Sequence, residues 1–194
     1  MYANREWGEF MPDLQTENAI ANKSNHSCDV MLIGYENQEN LGLRSIAAFL
    51  DQNGVRVKLQ PCHDTAKESI LLRTQREQPK LIGFSLIFQR MLYDFANLIS
   101  YLRQNGVKAH FTIGGHFPTF QYEEILKTIP GLDSVVRHEG EYTLLELFRN
   151  LDRPGFWAQI NGIAYRQGRE IIEEGNDNSC QNERLVHFSH SSPL

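Results

Sequence analysis

The chain has 194 residues, of which 41% are hydrophobic, and a formal net charge of −5. That length suits one well-packed domain with appendages, and an acidic balance without a long basic run argues against duplex nucleic acid as a partner. Cys28, Cys62 and Cys180 are odd in number and widely spaced, which argues against a disulfide framework and a cysteine-based zinc or iron–sulfur site; no apolar run of ~18 or more residues suggests a membrane span.

Residues 1–27 are polar and lack periodicity, with Trp7 and Phe10 as possible docking anchors. They read as a flexible N-terminal arm, and no basic region followed by an apolar one marks a secretory leader, so the expected location is cytoplasmic. The first strand is expected at Asp29–Gly34, a short apolar run ending in glycine. A helix follows over about Leu41–Asn53, with Leu43, Ile46, Ala47 and Leu50 on one face and Asn53-Gly54 as its stop. Val55–Leu59 alternates and suits a strand nearer an edge.

A second helix is expected over about Thr65–Glu77 and a third strand over Lys80–Ser85. A long helix from Tyr93 to Gln104 is again closed by Asn-Gly, at Asn105-Gly106. Val107–Ile113 reads as strand four, Tyr122–Thr128 as a helix, Leu132–Val136 as strand five and Tyr142–Asn150 as the fifth helix. Short connections in a strict strand/helix alternation leave a doubly wound parallel sheet as the solution. The expected fold is therefore α/β: a five-stranded parallel sheet of flavodoxin-like or Rossmann-like kind, order 2-1-3-4-5. After Pro154, Gln159–Arg166 and Arg169–Ile172 around Gln167-Gly168 read as a C-terminal β-hairpin. The expected division is an arm over 1–27, an α/β domain over 28–152, a hairpin extension over 153–173, and a tail or linker over 174–194.

Open α/β sheets bind ligands at the carboxyl ends of their strands, where the winding reverses. Four segments fall on that rim: Glu36–Gly42, Ser85-Leu86-Ile87, Gly114–Thr119 and His138–Glu141. Gly42 allows close approach of backbone to a ligand, or simply a tight strand–helix turn. Asn37, Gln38, Glu39, Asn40 and Leu41 bring polar and apolar groups to the same loop. The Ser85 hydroxyl suits a buried ligand nitrogen, or a strand-end bond to backbone. Gly114-Gly115 removes two side chains where a planar group would meet the strand end, and Pro118-Thr119 reads as a stop. His116 is a donor beside them, and Glu139-Gly140-Glu141 opens the last helix, where carboxylates are favourable in any case. A zinc site from Cys62, His63, Asp64, His116 and His138 is the weakest reading, since none shows paired ligand spacing. A phosphate-receiver site fails because strand 3 ends in Ser85, not Asp. A flavin site fails because residues 35–41 are bulky and acidic.

These motifs, in this order and spacing, resemble the cobalamin-binding domain at the N-terminus of B12-dependent radical SAM enzymes. The residues that carry the resemblance are Asn40-Leu41-Gly42-Leu43, Ser85-Leu86-Ile87, Gly114–Phe120, Arg137–Glu141 and the Asn161-Gly162-Ile163-Ala164 hairpin. The resemblance covers roughly residues 29–172. It implies cobalamin as cofactor, contacted by Asn37, Gln38, Glu39, Asn40, Leu41, Gly42, Ser85, Leu86, Ile87, Gly114, Gly115, His116, Phe117, Pro118, Glu139, Gly140 and Glu141. It implies no metal ligand from protein side chains, the cobalt being carried by the corrin. Two departures from related families matter. Cobalamin domains of the mutase type carry Asp-x-His-x-x-Gly after strand 1, whose histidine binds cobalt; here those positions are Asn37 and Glu39. Base-off binding without a histidine ligand is therefore implied, as in the radical SAM group. The closely spaced three-cysteine iron–sulfur motif is also missing, so the chain is expected not to be catalytic alone. A radical SAM barrel as partner or missing C-terminal domain completes that reading; a stand-alone corrinoid carrier or sensor, or an inactive relic, are the alternatives.

Overall fold

A computed structural model describes residues 28–35, 40–62, 67–168 and 170–174. The 1–27 arm, Asn37, Gln38, Glu39, His63, Asp64, Cys180 and the 175–194 tail lie outside the described residues. Strands β1 (Val30–Gly34), β2 (Val57–Pro61), β3 (Leu81–Ser85), β4 (His110–Gly114) and β5 (Ser134–Val136) alternate with helices α1 (Leu41–Gln52), α2 (Lys67–Glu77), α3 (Leu92–Gln104), α4 (His116–Thr128) and α5 (Gly140–Arg149). The hairpin β6 (Ile163–Gln167) and β7 (Glu170–Glu173) follows a 3-10 turn at Pro154–Gln159. The sheet order is β2-β1-β3-β4-β5-β6-β7, parallel through β5. The expected 2-1-3-4-5 order is thus present. The hairpin adds two antiparallel strands to the same sheet, making seven in place of the expected five: Ser134 pairs with Tyr165 and Val136 with Ile163.

Two boundary shifts share one cause. Strands β2 and β4 begin at Val57 and His110, not at Val55 and Val107. After each Asn-Gly stop the next valine still belongs to the helix end: Val55 N–H donates to Leu50 O at 3.1 Å and Val107 N–H to Leu102 O at 3.1 Å. Gly54 and Gly106, at φ 77° and 81°, donate to Asp51 O and Arg103 O. This is the paired closure of a Schellman motif, which uses up two orphan carbonyls and delays the strand.

Helix α4 begins at His116, six residues before the expected Tyr122, because Pro118 is no stop there. It is the third helical residue, where the missing N–H has no intrahelical partner anyway. The helix kinks at Gln121 (φ −117°, ψ 26°). Beside the kink, Arg137 Nε donates to Thr119 O at 3.3 Å, a side chain inserted at the ladder.

Alternation puts large residues on one sheet face and small ones on the other. Met31, Ile82, Phe84, Phe111 and Ile113 meet α2, α3 and α4 in the larger core, with Phe84 edge-to-face against both Phe95 and Phe111. On the other face Val30, Leu32, Leu81 and Val136 meet Leu43 and Leu50 of α1 and Leu144 and Leu147 of α5. Gly83 and Thr112 occupy the middle of that second face, so its carboxyl end is not filled. Among the described residues no helix is long and apolar enough to cross a membrane.

Candidate functional site

The unfilled space is a cavity of about 420 Å³ at the carboxyl rim, between α1 and α5. It lies within the ~300–1,000 Å³ typical of small-molecule sites. Its floor is Leu32, Gly83 and Thr112, its walls Leu43, Ile46, Val136 and Leu144, and its mouth Asn40, Leu41, Gly42, Ser85, Ile87, Gly114, Gly115, His116, Glu139, Gly140 and Glu141. A Cβ at Gly83 would come within 2.8 Å of Leu32 Cδ2, so the floor depends on that glycine.

Eleven of the sequence-expected site residues thus line one cavity. Leu86, Phe117 and Pro118 do not. Leu86 is fully buried in the larger core, its N–H on Gly114 O at 2.8 Å, while Phe117 packs against that core and Pro118 is buried in α4. Their contribution is to hold the rim. Sequence reasoning missed the floor and walls, because it took strand ends and left the strand faces unused. Gly83, a glycine inside a buried strand, was the available signal. His138, part of the His138–Glu141 rim segment but not among the expected cofactor contacts, lines the mouth as well.

Three helix N-termini converge there. Asn40 caps α1: its Oδ1 accepts Leu43 N–H at 3.1 Å, and its Nδ2 donates to Ser85 Oγ at 3.1 Å. Gly115 and Glu139 precede α4 and α5, and neither makes a side-chain cap. Among the described residues no side chain caps the first-turn N–H groups of α5 or those of His116 and Phe117 in α4, where Pro118 has none, so these can meet an anionic group such as a phosphate. Two carboxylates offset part of that positive end, Glu139 and Glu141; the latter accepts Ser45 Oγ–H at 2.9 Å and ties α5 to α1.

Gly115 has φ 123°, and a Cβ there would meet Leu86 O at 2.5 Å. Close packing of the β3 and β4 loops accounts for this glycine. Gly42 differs: a Cβ would meet nothing within 4 Å. His138 sits at φ 58°, a left-handed conformation held by its N–H on Thr119 Oγ1 at 2.9 Å. Burial, with the Arg137 charge beside it, lowers the His138 pKa and favours a neutral imidazole at the mouth. Among the described residues no group of three or more His, Cys, Asp or Glu side chains is placed to hold a metal ion.

The donor set suits the nucleotide end of a corrinoid: a glycine-floored apolar slot, a hydroxyl at its edge, and open amides at its mouth. At about 420 Å³ the slot is large enough for an aromatic base.

Comparison with known proteins agrees with that chemistry. A B12 binding domain family matches residues 30–148. Anaerobic magnesium-protoporphyrin IX monomethyl ester cyclase from Synechocystis sp. is 36% identical over 76 residues, 39% of this chain and 15% of that enzyme. The 4'-phospho-dehydrooxetanocin synthase of Priestia megaterium is 29% identical over 132 residues, 66% of this chain and 17% of that enzyme. The match thus spans about a sixth of the length of each of these two relatives. The fold is shared with the radical S-adenosylmethionine methyltransferase TsrM from Kitasatospora setae, solved with cobalamin and a [4Fe-4S] cluster bound: TM-score 0.68, 17% identity, 78% of this chain and 29% of that one. With the family match running from β1 nearly to the end of α5, the chain belongs to the B12-binding domain family.

Proposed function

We propose that this chain is the cobalamin-binding module of a B12-dependent radical SAM system of methyltransferase type, and that it seats the corrinoid base-off without a histidine ligand to cobalt. The observation that carries this reading is the glycine-floored cavity at the sheet's winding reversal, lined by Gly42, Ser85 and Gly114. Leu32, Gly83, Thr112, Val136 and Leu144 would hold the tail base, and the open amides of α4 and α5 its phosphate. When bound, the corrinoid supplies the cobalt-centred methyl-transfer chemistry. The chain's own residues bind, orient and shield. Asn37 and Glu39 stand where mutase-type domains carry the aspartate and the cobalt-binding histidine, which favours the base-off form. Three widely spaced cysteines favour an iron–sulfur cluster supplied by another domain or partner, a radical SAM barrel. A stand-alone carrier or sensor needs the same cavity, and a relic would retain it without affinity.

The test is to mix the purified chain with hydroxocobalamin, desalt it, and record the visible spectrum of the protein fraction. Retained corrinoid with a base-off spectrum is expected. Ser85→Leu and Gly115→Trp should release it, the first by filling the slot mouth and the second by displacing the rim. A folded wild-type chain that retains none rejects both the module and the carrier as properties of this chain alone.

A further inference from the structure

We propose that a second cavity, on the opposite face of the sheet from the rim slot, binds a free α-amino acid with a large apolar side chain, its ammonium on Asp94 and its carboxylate on Lys67. The site is separate from the corrinoid cavity and does not rest on that reading.

The end of β1 divides the two faces. A Cβ at Gly34 would meet Leu43 and Asn40 on the α1 side, so Tyr35 beside it falls on the side of α2 and α3, in the larger core. There a cavity of about 310 Å³ lies between α2 and α3, at the lower end of the ~300–1,000 Å³ range of small-molecule sites. Helix α3 supplies Asp94, Leu98 and Tyr101, spaced along one face, and α2 supplies Lys67 and Ile70. Tyr35, Cys62, Ile70 and Leu98 are buried and form the inner wall, whereas Lys67 and Asp94 are exposed at the mouth.

The wall is held in place. Tyr35 packs edge-to-face on Phe95, with ring centroids 5.6 Å apart, and its hydroxyl donates to Asp94 Oδ2 at 3.3 Å. That bond orients the carboxylate, and Asp94 Oδ1 takes no hydrogen bond among the described residues. Lys67 Nζ stands 5.1 Å from the centroid of the Tyr101 ring and 3.9 Å from Glu68 Oε1. Among the described residues no ion pair joins Lys67 to Asp94, although both line one cavity. The first turn of a helix favours Asp94 for its charge alone, and a lysine over a tyrosine ring is common. Neither effect accounts for an anion and a cation kept apart at the mouth of a slot with aromatic and aliphatic walls. That pattern is complementary to a zwitterion with an apolar body: the ammonium donates to Asp94, Lys67 donates to the carboxylate, and the side chain lies between the Tyr35 and Tyr101 rings. A simple amine or a simple acid would answer one charge and leave the other, at a cost of about tenfold in affinity.

The experiment is isothermal titration calorimetry of the full chain with L-phenylalanine, 3-phenylpropionate, which lacks the ammonium, and 2-phenylethylamine, which lacks the carboxylate. Wild type should bind L-phenylalanine, and each of the other probes about tenfold more weakly. Asp94→Asn keeps an acceptor for the Tyr35 hydroxyl and loses the charge; it should bind L-phenylalanine about tenfold more weakly and no better than 3-phenylpropionate. Lys67→Met should likewise lose the distinction between L-phenylalanine and 2-phenylethylamine. Bound L-phenylalanine should slow alkylation of Cys62 by iodoacetamide, read by peptide mass, because that free thiol is on the cavity wall. No binding of L-phenylalanine at about 10 mM overturns the proposal. So does either variant keeping the wild-type preference, or binding that leaves Cys62 alkylation unchanged.

Discussion

Gly115 and Gly42 flank the same cavity for different physical reasons, and alanine at each separates packing from ligand approach. At Gly115 the backbone lies at φ 123° and ψ −175°, a region open essentially to glycine alone, with a strain of about 1–3 kcal/mol for any other residue. An added Cβ would stand 2.5 Å from Leu86 O and 3.0 Å from Leu86 C, both main-chain atoms. That peptide cannot yield freely, because Leu86 N–H is held by Gly114 O at 2.8 Å. Strain and overpacking together place Gly115→Ala at about 3–4 kcal/mol of destabilisation, or roughly 10 °C in Tm for a domain of this size. Gly42→Ala meets nothing within 4 Å and sits in the second position of α1, so it should stabilise the cofactor-free chain by about 0.5–1 kcal/mol. Urea unfolding followed by far-UV circular dichroism reads both. Corrinoid titration of Gly42→Ala should show weakened binding despite the gain, because the new methyl stands at the cavity mouth. Wild-type stability in Gly115→Ala would refute the close-approach account. Unchanged corrinoid affinity in Gly42→Ala would reduce Gly42 to an ordinary turn residue.

Burial lowers the His110 pKa to about 4. The unfolded chain therefore binds more protons between pH ~6.5 and 4, so stability is full above ~6.5 and falls by roughly 3 kcal/mol as pH drops through that window. Denaturation at pH 7 and 4.5 should show this loss in wild type and not in His110→Asn; equal losses would rule out His110 as its source. Arg103 donates to Gly131 O, Val107 O, Ala109 O and Asp133 Oδ2, and lies over the Phe111 ring at 3.7 Å. Arg103→Ala should cost about 3 kcal/mol by leaving those acceptors without their donor, with Arg103→Lys recovering less than half; a loss under about 0.5 kcal/mol would contradict that role.

The order of elements was legible because each strand is a short apolar run and each helix has a stop written in residues. What was not legible depends on contacts between distant segments. The start of α4 requires knowing that Thr119 accepts His138 N–H and that Arg137 reaches Thr119 O, partners 19 and 18 positions apart in sequence. Arg137 also pairs with Glu173 of β7 and stacks at 4.4 Å on Tyr122, so the hairpin, β5 and α4 are fixed together. Periodicity within Ile163–Ile172 announces a hairpin, but not that Ile163 and Tyr165 complete the core under α1 and α5. The rim residues are legible from their positions after strands. Leu86, Phe117 and Pro118 follow the same strands, but the structure turns them into the larger core and α4 and not toward the cavity.

The location of the cavity follows from a property that the sequence does contain. In β3 the residues facing α1 and α5 are Leu81, Gly83 and Ser85, and in β4 they are His110, Thr112 and Gly114, while the alternate residues are Ile82, Phe84, Phe111 and Ile113. Central parallel strands are covered on both faces, so such a difference in bulk has to appear as a difference in packing. On the large side the helices close over aromatic rings. On the small side α1 and α5 are kept apart at their N-termini, Ser45 reaching Glu141 across the mouth and Ile46 approaching the Gly140 position within 3.2 Å of where a Cβ would be. A largely apolar slot between helices that no side chain fills is costly for stability alone, since each contact not made across it forfeits dispersion energy. Filling it from the sheet side, with Gly83→Ala, would need Leu32 to move from a 2.8 Å contact, whereas an inserted planar group can take the space without moving the strand. The small face, the Ser85 hydroxyl at its edge and the three converging helix starts are thus parts of one arrangement, which packing alone does not require and ligand binding does.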